Sequence, residues 1–402
     1  MYHVRTVTHD LAIVGAGPAG AWAAYLLARA GARVTLIDGS HPREKPCGGG
    51  VTGRALALVA AAIDTATLPA TIIRAVRFTG CANARAADLQ TADVQAIVPL
   101  EAHGLTSSSA LVVASRAAFD ARLLDAARLA GAELVAARVT GLAVEAGGVR
   151  IETSAGTRRA ALVIGADGAN SLVRRRVAQP FRRDQLSAAT GYFAHGVTSD
   201  EIAIEIVADP PGYIWSFPRQ THLAIGICAQ ADAGVGVAAL RARTVEWLRA
   251  THLADDAPLE AYSWPIPSLS AADFSHLTLS GPRWCLAGDA AGLVDPITRE
   301  GITFALQSGA FAAEAAMSGD PARAYSARIG DEISPELRRA AQLKAGFFRP
   351  RFTRLLVDAL RHSEAVRRVM ADLVAGRQSY SGLKWRLART LELGLAWRWI
   401  RS

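Results

Sequence analysis

The sequence predicts an α/β protein with a helical C-terminal unit, and three observations predict it. Near the N-terminus an apolar strand, a glycine turn, an alanine-rich helix and a second strand follow one another. Two later segments repeat the order strand, tight glycine turn, carboxylate, with a run of alternating aromatic residues between them. The last part of the chain is rich in Leu, Arg and Trp at helical spacing. At 402 residues, 51% hydrophobic and 20% charged, the chain is globular and long enough for two or three compact units.

The first element is "LAIVGAGPAGAWAAYLLARAGARVTLID". Leu11 to Val14 form an apolar strand, and Gly15, Gly17 and Gly20 turn the chain into a helix that opens with Pro18 and Ala19. Arg33 to Ile37 form the second strand, ended by Asp38 and Gly39. Gly15 permits the tight turn, Gly17 lets a pyrophosphate approach the backbone, and Gly20 lets helix and strand lie close. The helix N-terminus offers unpaired N–H groups to phosphates, and Asp38 is placed to accept hydrogen bonds from a ribose. A GxGxxG alone is weak. Strand, glycines, helix, strand and terminal acid together predict a Rossmann-like dinucleotide site. The motif does not separate FAD from NAD.

The second element, "ALVIGADGANSLVRRRV", is a strand from Leu162 to Ile164 followed by Gly165, Asp167, Gly168, Ser171 and Arg174. The third, "RWCLAGDAAGLVDPITREGITFALQSG", is a strand, then Gly288 and Asp289, then a helix. Each places one carboxylate at a strand end, good geometry for holding a ribityl or ribose hydroxyl. A simple NAD dehydrogenase has no need of three such elements.

Between them stands "PPGYIWSFP", residues 210 to 218, with Tyr213, Trp215 and Phe217 at alternate positions. In a strand these side chains leave on one face and make an aromatic wall. "GYIWSFP" and "HLAIGICA" read as adjacent strands. Alternation by itself suits a face packed on helices as well as one that lines a pocket.

Residues 336 to 402 are helix-like, and Leu383, Leu387, Leu391, Leu395 and Trp399 recur every four positions with Arg and Lys between them. From Lys344 to Ser402 there are 13 Lys or Arg and 4 Asp or Glu, so this segment carries +9 of the formal +8 and the rest of the chain sums to −1. The basic character belongs to the tail. It suits peripheral contact of residues 380–402 with an anionic bilayer, or a docked helix with its charges in water. It does not describe a nucleic-acid-binding surface. No uninterrupted apolar run of membrane-spanning length appears, and "MYHVRTVTHD" lacks a signal-peptide core. Cys47, Cys81, Cys228 and Cys285 form no CxxC pair, so neither a disulfide framework nor a metal site is expected, and a cytoplasmic location fits.

The set GxGxxG, "GADGANSLVR" and "GDAAGLVDP…EGI" resembles the flavoprotein superfamily typified by para-hydroxybenzoate hydroxylase. Within it the sequence is similar to the geranylgeranyl reductase family. Three features carry that likeness: "KPCGGGVTGRAL" after the second strand, Gly292 at the end of "GDAAG" where aromatic hydroxylases have His, and the full pattern PxxYxWxFP at Pro210 to Pro218. The resemblance covers roughly residues 10 to 320. It implies a discontinuous FAD domain (1–75, 100–185 and 276–335) and a mixed or antiparallel-sheet substrate domain (76–99 and 186–275). The helical region 336–402 follows.

The same resemblance implies the site. FAD would be held by Gly15, Gly17, Pro18, Ala19, Gly20, Asp38 and Gly39, by Cys47, Gly48 and Gly49, and by Arg116, Asp167, Gly168, Gly288 and Asp289. Pro296, Glu300, Gly301 and Ile302 would bring a helix N-terminus to the N1/O2 side of the ring. NAD(P)H or another electron donor would bind transiently, since no second Rossmann unit is visible. Gly50, Val51, Tyr213, Trp215, Phe217 and Arg299 would face the substrate, a hydrophobic isoprenoid-like molecule. Tyr213, Trp215 and Cys47 would take part in catalysis, with Cys47 or an ordered water as the proton source. Free Cys is usually a small buried hydrophobe, and Cys81, Cys228 and Cys285 read as core.

The implied reaction is FAD-dependent saturation of carbon–carbon double bonds. The alternative on the same fold is an FAD-dependent monooxygenase or related oxidative tailoring enzyme. Burying about ten methylene equivalents of a prenyl chain is worth on the order of 8 kcal/mol before entropic costs. One departure stands out. The family reads PxTGEGI where this chain has "PITREGI", so Arg299 replaces a glycine. Either the backbone there does not need φ > 0, or the site is changed, and the guanidinium then meets an anionic reduced flavin, an acidic substrate group or solvent.

Overall fold

The computed structural model describes residues 10–80, 95–100 and 111–390. Leu391, Leu395, Trp399 and Cys81 lie outside the described residues.

The first layer is a six-stranded sheet in the order Ser280–Gly281, Trp284–Leu286, Leu162–Gly165, Asp10–Val14, Arg33–Ile37, Glu133–Val135. All pairs are parallel except the two-residue edge strand. The central strands read as unbroken apolar runs because helices or loops cover both faces. Ile13, Leu36, Val163 and Ile164 are wholly buried. The three motif strands are thus neighbours, and their turns share one edge of the sheet. Helices Pro18–Arg29, Arg116–Leu129 and Ile302–Ala316 pack together over it. Contact is close: a Cβ on Gly309 would stand 2.4 Å from the Ala19 carbonyl oxygen, and one on Gly20 would stand 1.9 Å from that of Gly15.

The second layer is a seven-stranded sheet in the order Leu259–Pro267, Leu186–His195, His222–Gln230, Pro211–Pro218, Glu201–Ala208, Ala75–Thr79, Gln95–Pro99. It is mixed: only Glu201–Ala208 and Ala75–Thr79 pair in parallel. "GYIWSFP" and "HLAIGICA" are antiparallel neighbours, with Trp215 opposite Gly226. One face, including Ile214, Ile225 and Ile227, packs on Leu240, Trp247 and Leu248 of helix Val237–Thr251. The aromatic face points the other way.

Two three-stranded sheets complete the β structure. Gly50–Thr52, Leu111–Ala114 and Ala70–Ile72 form one, and the meander Val139–Glu145, Gly148–Thr153, Gly156–Ala160 forms the other. The C-terminal region is helical as expected, with Ser334–Phe347, Pro350–His362, Glu364–Val374 and Leu383–Ala388. Val357, Leu360 and Val366 pack on Phe78, Val98 and Ile202 at the edge of the large sheet.

Candidate active site

The nucleotide end starts at the first glycine turn. Gly15 has φ 101°, and a Cβ there would stand 2.4 Å from the Ala166 carbonyl oxygen, so glycine is required. Helix Pro18–Arg29 begins at Gly17 with no side-chain cap, which leaves its first N–H groups free for an anion. Space remains over Gly17, where a Cβ would meet only His41 Nε2 at 3.7 Å. Asp38 does more than end its strand. Its Oδ2 accepts from Ala16 N–H and His41 Nδ1, both at 2.9 Å. Its Oδ1 accepts from Ser40 N–H, Ser40 Oγ and His41 N–H. Burial works against the charge, but His41 and these N–H groups outweigh it and hold the carboxyl well below the usual carboxylate range. Asp38 thereby locks the glycine turn to the following loop.

Asp167 also turns inward. It accepts from Ser171 Oγ (2.5 Å), Leu172 N–H (2.6 Å) and Val173 N–H (3.1 Å) and caps helix Leu172–Val177. Burial nonetheless raises its pKa. Gly168 (φ 79°) gives that turn its left-handed step. Gly288 (φ 58°) packs against Ala19 and Ala305, and Gly39 packs against Ala137 and Arg138.

At the other end lies a partly open cavity of about 560 Å³, predominantly apolar. Tyr213, Trp215 and Phe217 all line it. So do Pro18, Cys47, Gly48, Gly49 and Gly50. Arg116, Asp289, Arg299, Glu300, Gly301 and Ile302 complete the expected residues found there. Val51 does not. In a strand, neighbours alternate, so Gly50 and Thr52 line the cavity while Val51, wholly buried, packs on Trp22, Val112 and Ile302. The substrate role given to Val51 is corrected to core. Pro296 is buried, is not among the lining residues, and accepts from Arg299 through its carbonyl.

The glycines after Cys47 admit a ring, and that ring belongs to the protein. A Cβ on Gly48 or Gly50 would stand 2.9 or 3.2 Å from the Phe217 ring, and one on Gly49 (φ 83°) 2.3 Å from the Ala114 carbonyl oxygen. Gly226 plays the same part for Trp215, whose ring a Cβ would meet at 2.5 Å.

Buried ion pairs fix the Cys47 loop. Arg219, 1% exposed, donates from Nη2 to the Cys47 carbonyl at 2.6 Å and pairs with Glu44. Glu44 also accepts from Ser115 Oγ (2.6 Å) and Arg116 N–H (3.0 Å). Burial raises its pKa, but Arg219 and these donors win and lower it. Arg116 makes a bidentate pair with Asp120 (3.0 and 2.8 Å). Burial opposes the guanidinium charge, yet Asp120 and Cys47 raise its pKa overall. Across the cavity Lys45 Nζ pairs with Asp289 Oδ2 at 3.1 Å. Glu300 accepts from Thr303 N–H at 2.7 Å, and burial pushes its carboxyl up to about 6. That bond occupies one of the helix N–H groups expected to face the flavin.

Sequence reasoning missed several site residues: Lys45 and Asp295, which stand inside the quoted motifs but carry no role there, and much of the C-terminal region, which carries no motif. Asp295 accepts from Tyr380 Oη at 2.8 Å, and Leu383 and Leu387 line the cavity. Val366, Val369, Met370 and Leu373, also lining, stand at i, i+3, i+4 and i+7. That spacing announces an apolar helical stripe in the sequence but not what it faces. Cys228 and Cys285 are buried, and burial pushes Cys285 up to about 12. Among the described residues no His/Cys/Asp/Glu cluster fits a metal, and no helix is long and apolar enough to cross a membrane.

The family profile described as "FAD binding domain" matches residues 8–315. The chain belongs to this FAD-binding family. The geranylgeranyl diphosphate reductase of Rhodobacter capsulatus is 30% identical over 341 residues, 80% of this chain and 79% of that protein, and places the flavoprotein among the geranylgeranyl reductases. The menaquinone reductase of Mycolicibacterium smegmatis is 29% identical over 412 residues, 94% of this chain and 95% of its own. Among solved structures, the geranylgeranyl bacteriochlorophyll reductase-like protein of Thermoplasma acidophilum superposes with TM-score 0.76 at 22% identity, covering 95% of this chain and 99% of that one. The halogenase PltM, solved with phloroglucinol and FAD, gives 0.68 at 16%, covering 92% and 82%. Those two similarities establish the shared fold. The flavoprotein is an FAD-dependent oxidoreductase. The free helix N-terminus, the open space over Gly17 and the Lys45–Asp289 pair bordering the cavity fit the cofactor.

Proposed function

We propose that this flavoprotein saturates carbon–carbon double bonds of an isoprenoid chain. One observation carries the reading: the aromatic wall and the flavin-motif residues Cys47, Asp289 and Gly301 line the same apolar cavity. The curated relatives support it, being named for geranylgeranyl diphosphate and menaquinone, both prenylated molecules. Gly15, Gly17, Gly20 and the start of helix Pro18–Arg29 would hold the pyrophosphate, and Lys45 and Asp289 the adjoining chain. When bound and reduced, FAD supplies a hydride equivalent to one alkene carbon. The protein's part is to hold the chain, exclude water and give a proton to the other carbon. Tyr213, Trp215 and Phe217 hold the chain and keep the site dry. Cys47 is the proposed proton donor, seated in the cavity wall with its loop fixed by Arg219 and Arg116. NAD(P)H or another donor would reduce the flavin in a transient encounter. A peripheral bilayer contact near Trp385, 76% exposed beside the cavity-lining Lys384 and Leu387, would supply the lipid.

Photoreduced enzyme mixed anaerobically with geranylgeraniol tests the reaction. The expected result is reoxidised flavin and product heavier by two hydrogens. Flavin that stays reduced without oxygen, with a hydroxylated product once oxygen is admitted, would overturn it.

A further inference from the structure

Arg299 is the residue that departs from the family pattern, and its surroundings are unusual in three ways. Its backbone has φ 60°, a left-handed conformation that disfavours a long side chain. Its Nη1 donates to Ser268 Oγ at 2.7 Å, and its buried Nε has no partner. Lys344 Nζ, from helix Ser334–Phe347, donates to that same Ser268 Oγ at 2.7 Å and to Gln230 Oε1 at 2.7 Å. Two cations thus share one neutral oxygen. Neither forms an ion pair with a carboxylate of the described residues. The nearby Asp295 carboxylate is engaged by Ile297 N–H, Thr298 N–H and Tyr380 Oη. Arg299 lines the apolar cavity, and Lys344 stands behind it, outside the lining and joined to it through the Ser268 hydroxyl. Asp232 and Asp273 act on Lys344 only from beyond ion-pair distance. Cations gathered with no carboxylate in direct contact, one of them at a costly backbone conformation, make a site for an anion.

We propose that Arg299 and Lys344, bridged by Ser268, bind the single acidic group, carboxylate or phosphate, of an otherwise apolar ligand whose chain fills the cavity. The proposal rests on the isoprenoid reading for the apolar part alone. Ser268 and Gln230 come from or adjoin the large sheet, Arg299 from the loop before helix Ile302–Ala316, and Lys344 from the C-terminal helices. Binding there would draw three parts of the molecule onto one group.

Calorimetric titration of the oxidised holoenzyme tests it, with geranylgeranoate, geranylgeranyl phosphate, geranylgeraniol and inorganic phosphate as probes. At least one acid should bind about 30-fold more tightly than the alcohol, as two charge-assisted hydrogen bonds require. Arg299→Gly and Lys344→Met should each bring that ratio below about 3-fold and leave the alcohol affinity in place. Alcohol binding equal to both acids in the wild type would overturn the proposal, as would a ratio that survives both substitutions. Inorganic phosphate as tight as the better acid would make this a general ion site and equally overturn it. So would a ratio unchanged in Arg299→Gly while the reduced flavin's anionic spectrum shifts, since the cations would then serve the cofactor. These titrations involve no turnover, so they stand or fall apart from the reoxidation test with geranylgeraniol.

Discussion

Arg299 holds a left-handed backbone at φ 60° where glycine would sit without strain. The conformation costs a non-glycine residue roughly 1 kcal/mol. Arg299→Gly should therefore stabilise the ligand-free protein by about that amount, raising Tm by roughly 1–2 °C in anion-free buffer. A scanning fluorimetry trace with lower Tm would contradict the strain argument. Lys344 makes a second prediction. Burial first, and Arg299 next, pull its pKa down from 10.5 to about 8, while Cys228, Asp232 and Asp273 face it and act the other way. Above pH 8 the folded chain has lost a proton that the unfolded chain keeps until about 10.5. The unfolded state then binds more protons, so folding stability rises with pH. Between pH 8 and 9.5 the wild type should gain about 1–2 kcal/mol over Lys344→Met, read from urea unfolding at each pH. Cys47 makes a third. Cys47→Ala should slow alkene reduction at least about 100-fold, as loss of a positioned proton donor does, with FAD affinity nearly unchanged. Turnover unchanged in single-turnover reoxidation would remove Cys47 from that role.

At the scale of elements, two of the three wall side chains need a glycine elsewhere. Phe217 lies on Gly48 and Gly50, and Trp215 crosses Gly226. A methyl on Gly226 would also stand 2.7 Å from Tyr262 Oη, itself bonded to Ile225 O at 2.8 Å. Gly226→Ala should cost about 1–3 kcal/mol by overpacking and displace the Trp215 ring, seen as a changed near-UV circular dichroism band. The strand and its neighbour were legible in the sequence because alternation and the family pattern coincide there. The partners of the wall were not. Gly226 sits eleven residues past Trp215 in sequence and faces it only because the two strands pair in that register. Val51 shows the same limit from the other side: the motif named the segment, and the two-residue period of the strand decided which of its side chains reaches the cavity.

The cavity is a property of the whole molecule. The FAD-binding layer, the large mixed sheet and the C-terminal helices each contribute a wall. Tyr380 joins the last of these to the flavin loop through buried Asp295, and its N–H donates to Glu336 at 2.6 Å. Tyr380→Phe leaves Asp295 one donor short and should cost about 1–3 kcal/mol, with faster proteolysis after residue 350 as the local readout. Leu383 and Leu387, on the apolar stripe that suits either a bilayer or a docked helix, help close the cavity. Trp385, on the same short helix, is its most exposed large hydrophobic residue. If the mouth meets a bilayer, Trp385→Ser should lower sedimentation with anionic liposomes several-fold without altering geranylgeraniol affinity.

By itself the sequence determined the α/β class, the glycine turn for a dinucleotide and the aromatic strand, while the flavin came through the resemblance to a known family. These depend on local spacing, and residues a few positions apart fix it. Only the tertiary structure decided that the aromatic face meets empty space and that Asp38 and Asp167 spend their carboxylates on their own turns. It alone joined Lys344 to Arg299 across 45 positions at one serine hydroxyl. Such meetings depend on how sheets and helices stack, and no period along the chain records them.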